Sequence, residues 1–120
     1  NNKDGYKFKK SYPYPTGENT LGLNCLNDCN FNYPSKYSKF LLRGYGHVST
    51  FSTKKGINGL YDMGGNVWEW VDINDNSYKG TKGGSWWYGK NQMIQGYNAT
   101  KPKNMSAVYI GFRCVKDFKN

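Results

Sequence analysis

The sequence predicts a loop-rich α+β domain in which short strands outnumber helices. Three observations carry that expectation. Glycine and tyrosine supply 15 and 11 of the 120 residues and asparagine is abundant, a composition suited to turns and aromatic-bearing strands. The Leu/Ala stripes of a helical bundle do not occur; only Pro34 to Leu42 reads as one short helix, with Tyr37, Phe40 and Leu41 on one face and Ser35 and Lys36 in its first turn. Ala107 to Val115 is the clearest strand, with Val108, Ile110, Phe112 and Cys114 alternating against Tyr109, Gly111 and Arg113. A chain of 13.7 kDa with 37% apolar residues can fill one modest core.

Taken in order, residues 1–11 form a basic arm carrying Lys3, Lys7, Lys9 and Lys10, and residues 12–120 form a single partial or minimal domain. Tyr12-Pro13-Tyr14-Pro15-Thr16-Gly17-Glu18 is an extended, proline-set segment ending in a turn. Residues 20–34 make a polar loop containing Asn24, Cys25 and Cys29, and Tyr45 to Ile57 reads as strand and loop. Residues 72–82 are a turn-rich excursion, after which Thr81 to Trp87 resumes the sheet, with Gly83-Gly84 permitting close backbone approach. Met93 to Met105 is mostly loop, and the strand at 107–115 returns through the middle of the domain. The chain opens on Asn1 without a signal peptide, as a processed product would, and no run of about 18 apolar residues is present to span a membrane.

The formal charge is +9, from 17 basic and 8 acidic residues. Two of the basic residues are arginines, Arg43 and Arg113, and the other fifteen are lysines. Base-specific DNA reading leans on arginine forks and a recognition helix, neither of which is visible, so nucleic acid is an unlikely partner. A solvating lysine surface accounts for the charge, with an acidic surface or anionic glycan as the alternative.

The organising stretch is Gly59-Leu60-Tyr61-Asp62-Met63-Gly64-Gly65-Asn66-Val67-Trp68-Glu69-Trp70. On a strand, Val67, Glu69 and Val71 point one way and Trp68 and Trp70 the other. A carboxylate between two indoles lies near a core and needs a partner. Asp62, the bend at Gly64-Gly65 and the carbonyls it frees would make a hard oxygen cage suited to Ca²⁺. The alternative is a tight hairpin with Glu69 paired to a lysine.

These residues, with Gly83-Gly84-Ser85-Trp86 and Gly111-Phe112-Arg113-Cys114-Val115, resemble the ordered blocks of the formylglycine-generating, or sulfatase-modifying factor, family. The resemblance covers residues 12–116, as the C-terminal half of that family's domain, and includes a Tyr-Pro-Trp-Gly-like entry with Thr16 in place of tryptophan. It implies a C-type-lectin-like fold of short twisted antiparallel strands. It also implies a calcium site on the side chains of Asp62 and Glu69 and the main-chain carbonyls of Gly65 and Val67, with a possible second site at Asn24 and the carbonyl of Cys25. The spacing of Cys25 and Cys29 lets them cross-link if their Cβ vectors converge, and the resemblance supports that disulfide. Such a bond favours an extracellular, periplasmic or cell-surface setting.

The family's oxidases hold Cu(I) on two cysteines that follow the Gly-Gly-Ser block. At the matching positions stand Tyr88 and Met93, and no cysteine occurs between residues 30 and 113. A phenol and one thioether do not replace two thiolates, so no copper is expected. The iron-dependent branch needs a histidine cluster, and His47 is the sole histidine; arginines common after the Gly-Gly-Ser block are replaced by Gln95 and Asn98. Two weaker readings use the same inventory: a zinc site on Cys25, Cys29, Cys114 and His47, and acid–base chemistry on Glu69, Asp72 and Asp75. The expectation is a non-catalytic, calcium-stabilised module contacting a protein or glycan, alone or as a subunit of a larger assembly. The rival is an oxidase fragment completed by a second chain, and a polyanion binder is a further alternative. Trp86, Trp87 and Tyr88 cannot all share one strand face, so at least one is a candidate ligand or interface aromatic. Cys114 reads as a buried free thiol or a link to a partner. A half-domain would leave the Val108–Cys114 face open, to be covered by a companion polypeptide, by self-association, or by residues 1–45 folding back.

Overall fold

The structure, a computed structural model, describes residues 9–26, 29 and 46–117. Four short strands form one sheet: β1 (Trp68–Val71), β2 (Tyr78–Lys82), β3 (Ala99–Pro102) and β4 (Ile110–Gly111), in the order β3-β2-β1-β4. Antiparallel pairing sets Trp70 opposite Thr81 and Thr81 opposite Ala99, whereas β4 runs parallel to β1, with Trp68 opposite Ile110. The α+β, C-type-lectin-like arrangement with antiparallel strands is therefore corrected. The sheet is mixed, and among the described residues the single helical element is a 3-10 turn at Lys90–Met93. The helix expected at Pro34–Leu42 lies outside the described residues.

Aromatic packing accounts for the parallel pair. The indole N–H of Trp86 donates to the carbonyl of Val108 at 3.2 Å, and the ring of Tyr109 contacts both Trp87 and Tyr88. These contacts draw residues 107–111 to the free edge of β1, where Trp68 N–H donates to the Tyr109 carbonyl at 2.7 Å. The long strand expected over 107–115 accordingly shrinks to two residues.

The strand expected at Thr81 to Trp87 ends at Lys82, because Gly83 and Gly84 take φ of +93° and +71°, outside the β region. It begins earlier than expected, where the Asp75 carboxylate accepts the N–H groups of Ser77 at 2.8 Å and Tyr78 at 2.9 Å. Residues 46–57, expected to include a strand, contain none.

The two glycine-rich blocks meet. Gly65 N–H donates to the Gly83 carbonyl at 2.7 Å. A Cβ on Gly65 would lie 2.6 Å from the Asn24 carbonyl oxygen, and one on Gly83 would lie 2.7 Å from that of Met63. Glycine is required at both places by contact as well as by positive φ. Beside them, Leu23, Cys25, Cys29 and Met93 form a small core with Tyr14 against it, and Trp68 and Trp86 are each 1% exposed.

Candidate functional site

The organising stretch is held by a buried amide clasp. Asn66, at φ +62°, accepts on Oδ1 from Val48 N–H (2.9 Å) and Asn24 Nδ2 (3.3 Å), and donates from Nδ2 to the Val48 carbonyl (3.2 Å). Its backbone N–H donates to the Asn24 carbonyl at 2.7 Å and its carbonyl accepts from Trp86 N–H at 2.8 Å. Asn24 also donates to the Gly46 carbonyl at 2.9 Å. The turn after Asp62 is thereby tied to three other segments, at Asn24, Val48 and Trp86, which fixes where Asp62, Val67 and Glu69 point.

Those three residues line one cavity of about 450 Å³, with Phe51, Tyr61, Phe112 and Arg113 among its walls. Gly65, the fourth expected calcium ligand, is not in the lining and packs against Asn24 instead. Glu69 meets Arg113 through both oxygens: Nε donates to Oε1, and Nη2 donates to Oε2 at 3.0 Å. The guanidinium also donates to the Tyr61 carbonyl at 2.7 Å. These hydrogen bonds to Glu69, aided by the Coulomb attraction of Glu69 and Asp62, raise the arginine pKa against a smaller opposing effect of burial. Asp62, at φ +57°, accepts a 2.5 Å hydrogen bond from the Thr53 hydroxyl.

The donor set fits a hard cation in part. Two carboxylates and Val67 share a wall, as Ca²⁺ prefers, but Arg113 holds both oxygens of Glu69. Among the described residues no group of three or more histidine, cysteine or acidic side chains comes together, and no histidine, cysteine or serine lines this cavity.

Other residues singled out from sequence are placed as follows. Cys25 and Cys29 are bonded to each other with Cα atoms 5.5 Å apart, which leaves neither thiol for zinc. Cys114 is free and exposed, not buried: the chain leaves the sheet after Gly111, and Phe112 and Val115 beside it are 77% and 90% exposed. His47 is exposed. Asp72 pairs with Lys79 at 2.8 Å and Asp75 caps its own turn, so neither shares the cavity of Glu69. Trp86 belongs to the core, while Trp87 and Tyr88 are half-buried in ring contacts. At the two positions matched to thiols, Tyr88 packs edge-on against Trp68 at 5.2 Å, and Met93 is buried with its sulfur 4.0 Å from that of Cys29. Sequence reasoning missed the roles of Asn66, Arg113 and Thr53. The available signals were an asparagine in a Gly-Gly-Asn turn and an arginine in a chain that otherwise uses lysine almost throughout.

A small mixed sheet wrapped in loops, pinned by a disulfide and an asparagine clasp, defines a loop-built scaffold whose most elaborate contacts lie along residues 59–70. The family model described as the sulfatase-modifying factor enzyme 1-like domain matches residues 5–118, and the chain belongs to that FGE-sulfatase family. The match takes in nearly the whole chain, which corrects the narrower reading of residues 12–116 as a C-terminal half. Its closely spaced cysteines form the Cys25–Cys29 disulfide and are not a spaced catalytic pair. Comparison with curated proteins gives no match. Among the described residues no helix is long and apolar enough to cross a membrane.

Proposed function

We propose that the chain is a non-catalytic binding module of the sulfatase-modifying factor family, acting by contact with a protein or glycan in an oxidising compartment. One observation carries the reading: the positions matched to the copper-holding thiols are Tyr88, packed on Trp68, and Met93, buried against the disulfide. Both side chains serve packing there, and a phenol with one thioether offers Cu(I) no adequate ligand set. The disulfide supports the oxidising setting. The test is an anaerobic Cu(I) titration combined with a turnover assay on a cysteine-containing peptide. The expected result is no stoichiometric copper site and no product, and turnover by the metal-loaded chain would overturn the reading.

Calcium is the proposed stabiliser, held by Asp62, Glu69 and the Val67 carbonyl. It would supply charge neutralisation between two carboxylates that now depend on Arg113 and Thr53. Binding requires Glu69 to exchange a guanidinium for the ion, so Arg113 is the competitor at this site. Calorimetry with CaCl₂ on the wild-type chain and on Arg113→Gln should show tighter binding in the variant, along with a calcium-dependent rise in its melting temperature. Absence of calcium heat in both proteins would remove the ion from the assignment and leave Arg113 as the permanent partner of Glu69.

A further inference from the structure

A second cavity, larger than the first, opens on the other side of the Ile57–Met63 loop. It measures about 670 Å³, within the roughly 300–1,000 Å³ usual for ligand sites. It is lined by Tyr12, Tyr14 and Tyr97 and by Lys10 and Lys82, and among the described residues no carboxylate is in the lining. Lys10 pairs with Glu18 outside the cleft at 2.6 Å and lies 4.9 Å over the Tyr12 ring. Lys82 is different: its Nζ donates to the Tyr97 carbonyl at 3.0 Å and to Asn98 Oδ1, both neutral acceptors, and among the described residues it forms no ion pair.

Part of the backbone around the cleft is already paired. Tyr14 and Gly17 exchange N–H···O bonds of 3.1 and 3.0 Å. The Pro13 and Pro15 carbonyls accept from Gln95 and Ile57 at 2.8 and 2.9 Å, and the prolines have no N–H to offer. An extended peptide recognises a site largely through main-chain pairing, and these groups are already taken. Recognition falls to ring faces, ammonium groups and the amides of Asn58 and Gln95, in a chain of net charge +9. Tyrosine combines a flat apolar face with a polar tip, as a sugar ring needs.

We infer that this cleft binds an anionic glycan, with sugar rings against Tyr12, Tyr14 and Tyr97 and a carboxylate or sulfate at Lys82. The inference rests on the reading of the chain as a binding module and gives that reading a ligand class and a site. Carboxylate and sulfate present the same charge to Lys82, so the test separates them.

The full chain is titrated by calorimetry with a galacturonate tetramer, a heparin-derived sulfated tetrasaccharide, an uncharged tetrasaccharide and a glutamate-rich peptide. Binding of either acidic sugar but not the uncharged one is expected, and the arm that binds identifies the anion. Lys82→Gln should weaken binding at least about tenfold, as loss of a charge-assisted hydrogen bond does. Tyr97→Ala, which keeps the carbonyl that Lys82 uses but removes a ring tilted against Trp68, should weaken it similarly when measured well below the variant's own melting transition. Acidic-sugar binding indifferent to Tyr97→Ala would reduce the effect to general surface charge and overturn the site. Binding of the peptide alone, or of none of the four, would overturn the ligand class. None of these outcomes bears on the copper and turnover assays, which test the non-catalytic reading separately.

Discussion

Asn66→Ala tests whether the amide clasp holds the organising stretch in place. The side chain makes three hydrogen bonds, two accepted on Oδ1 and one donated to the Val48 carbonyl. Asn66 and Val48 are both buried. Truncation leaves the Val48 N–H and carbonyl without these partners and removes one acceptor from Asn24. Leaving a buried polar group unsatisfied costs about 1–3 kcal/mol, so about 3 kcal/mol is a fair sum for a site that can relax a little. Position 66 also sits at φ +62°, where asparagine is tolerated and alanine costs about 1 kcal/mol more. Asn66→Gly loses the same three bonds but not the conformational preference, and should be less damaging by about that 1 kcal/mol. Urea unfolding without reductant reads both numbers from the midpoint and slope. For a chain of 120 residues the alanine variant should melt roughly 12–16 °C below wild type. An alanine cost under about 1 kcal/mol would refute the clasp. A glycine variant as unstable as the alanine one would refute the backbone part of the argument.

Two further outcomes follow from the same structure. Reducing Cys25–Cys29, which closes a loop of five residues, should cost about 2 kcal/mol by chain-entropy reasoning, read as a lower urea midpoint in dithiothreitol; no change would mean that Leu23 and Met93 hold the loop unaided. Acid should loosen the β1–β2 turn. The Lys79 hydrogen bond and charge lower the Asp72 pKa, and the N–H groups of Tyr78 and Ser77 lower that of Asp75. Both carboxylates are thus deprotonated more readily in the folded chain, and their stabilisation is present above the unfolded value near 3.9 and is lost as pH falls through the lower folded values. Amide shifts of Ser77 and Tyr78 followed by NMR from pH 6 to pH 2 should report that loss below about pH 4, and Asp75→Asn should abolish the titration.

How far the sequence could be read depended on whether an element announced itself locally. Trp68-Glu69-Trp70 alternates and forms β1, and Gly83-Gly84 announces a close backbone approach, though not its partner, the 59–70 stretch. β3 is Ala99-Thr100-Lys101-Pro102, with no apolar alternation and a terminal proline. It forms because Thr81 and Gly80 of β2 offer it an edge, which is a tertiary cause invisible in the segment itself. The parallel placement of β4 was equally hidden, since it depends on the rings of Trp86, Trp87 and Tyr88 meeting residues 108 and 109. An alternating run does not reveal its partner or direction.

The candidate site shows the same limit more sharply. That Glu69, between two indoles, needs a partner follows from the cost of burying a carboxylate, and the structure honours that demand. The identity of the partner does not follow: lysine and calcium satisfied the sequence argument equally, and the group that meets Glu69 is the guanidinium of Arg113, 44 residues later. Arginine suits the place for a reason lysine cannot match. Its planar fork spans both oxygens of Glu69 while the second N–H of Nη2 reaches the Tyr61 carbonyl, tying the second residue after β4 to both β1 and the loop that carries Asp62. The ion pair is therefore also a structural strap across one edge of the sheet. Any cation that displaced Arg113 from Glu69 would loosen the exposed C-terminal segment as it bound, so affinity at Asp62 and Glu69 and order at Phe112 to Val115 are coupled through one side chain.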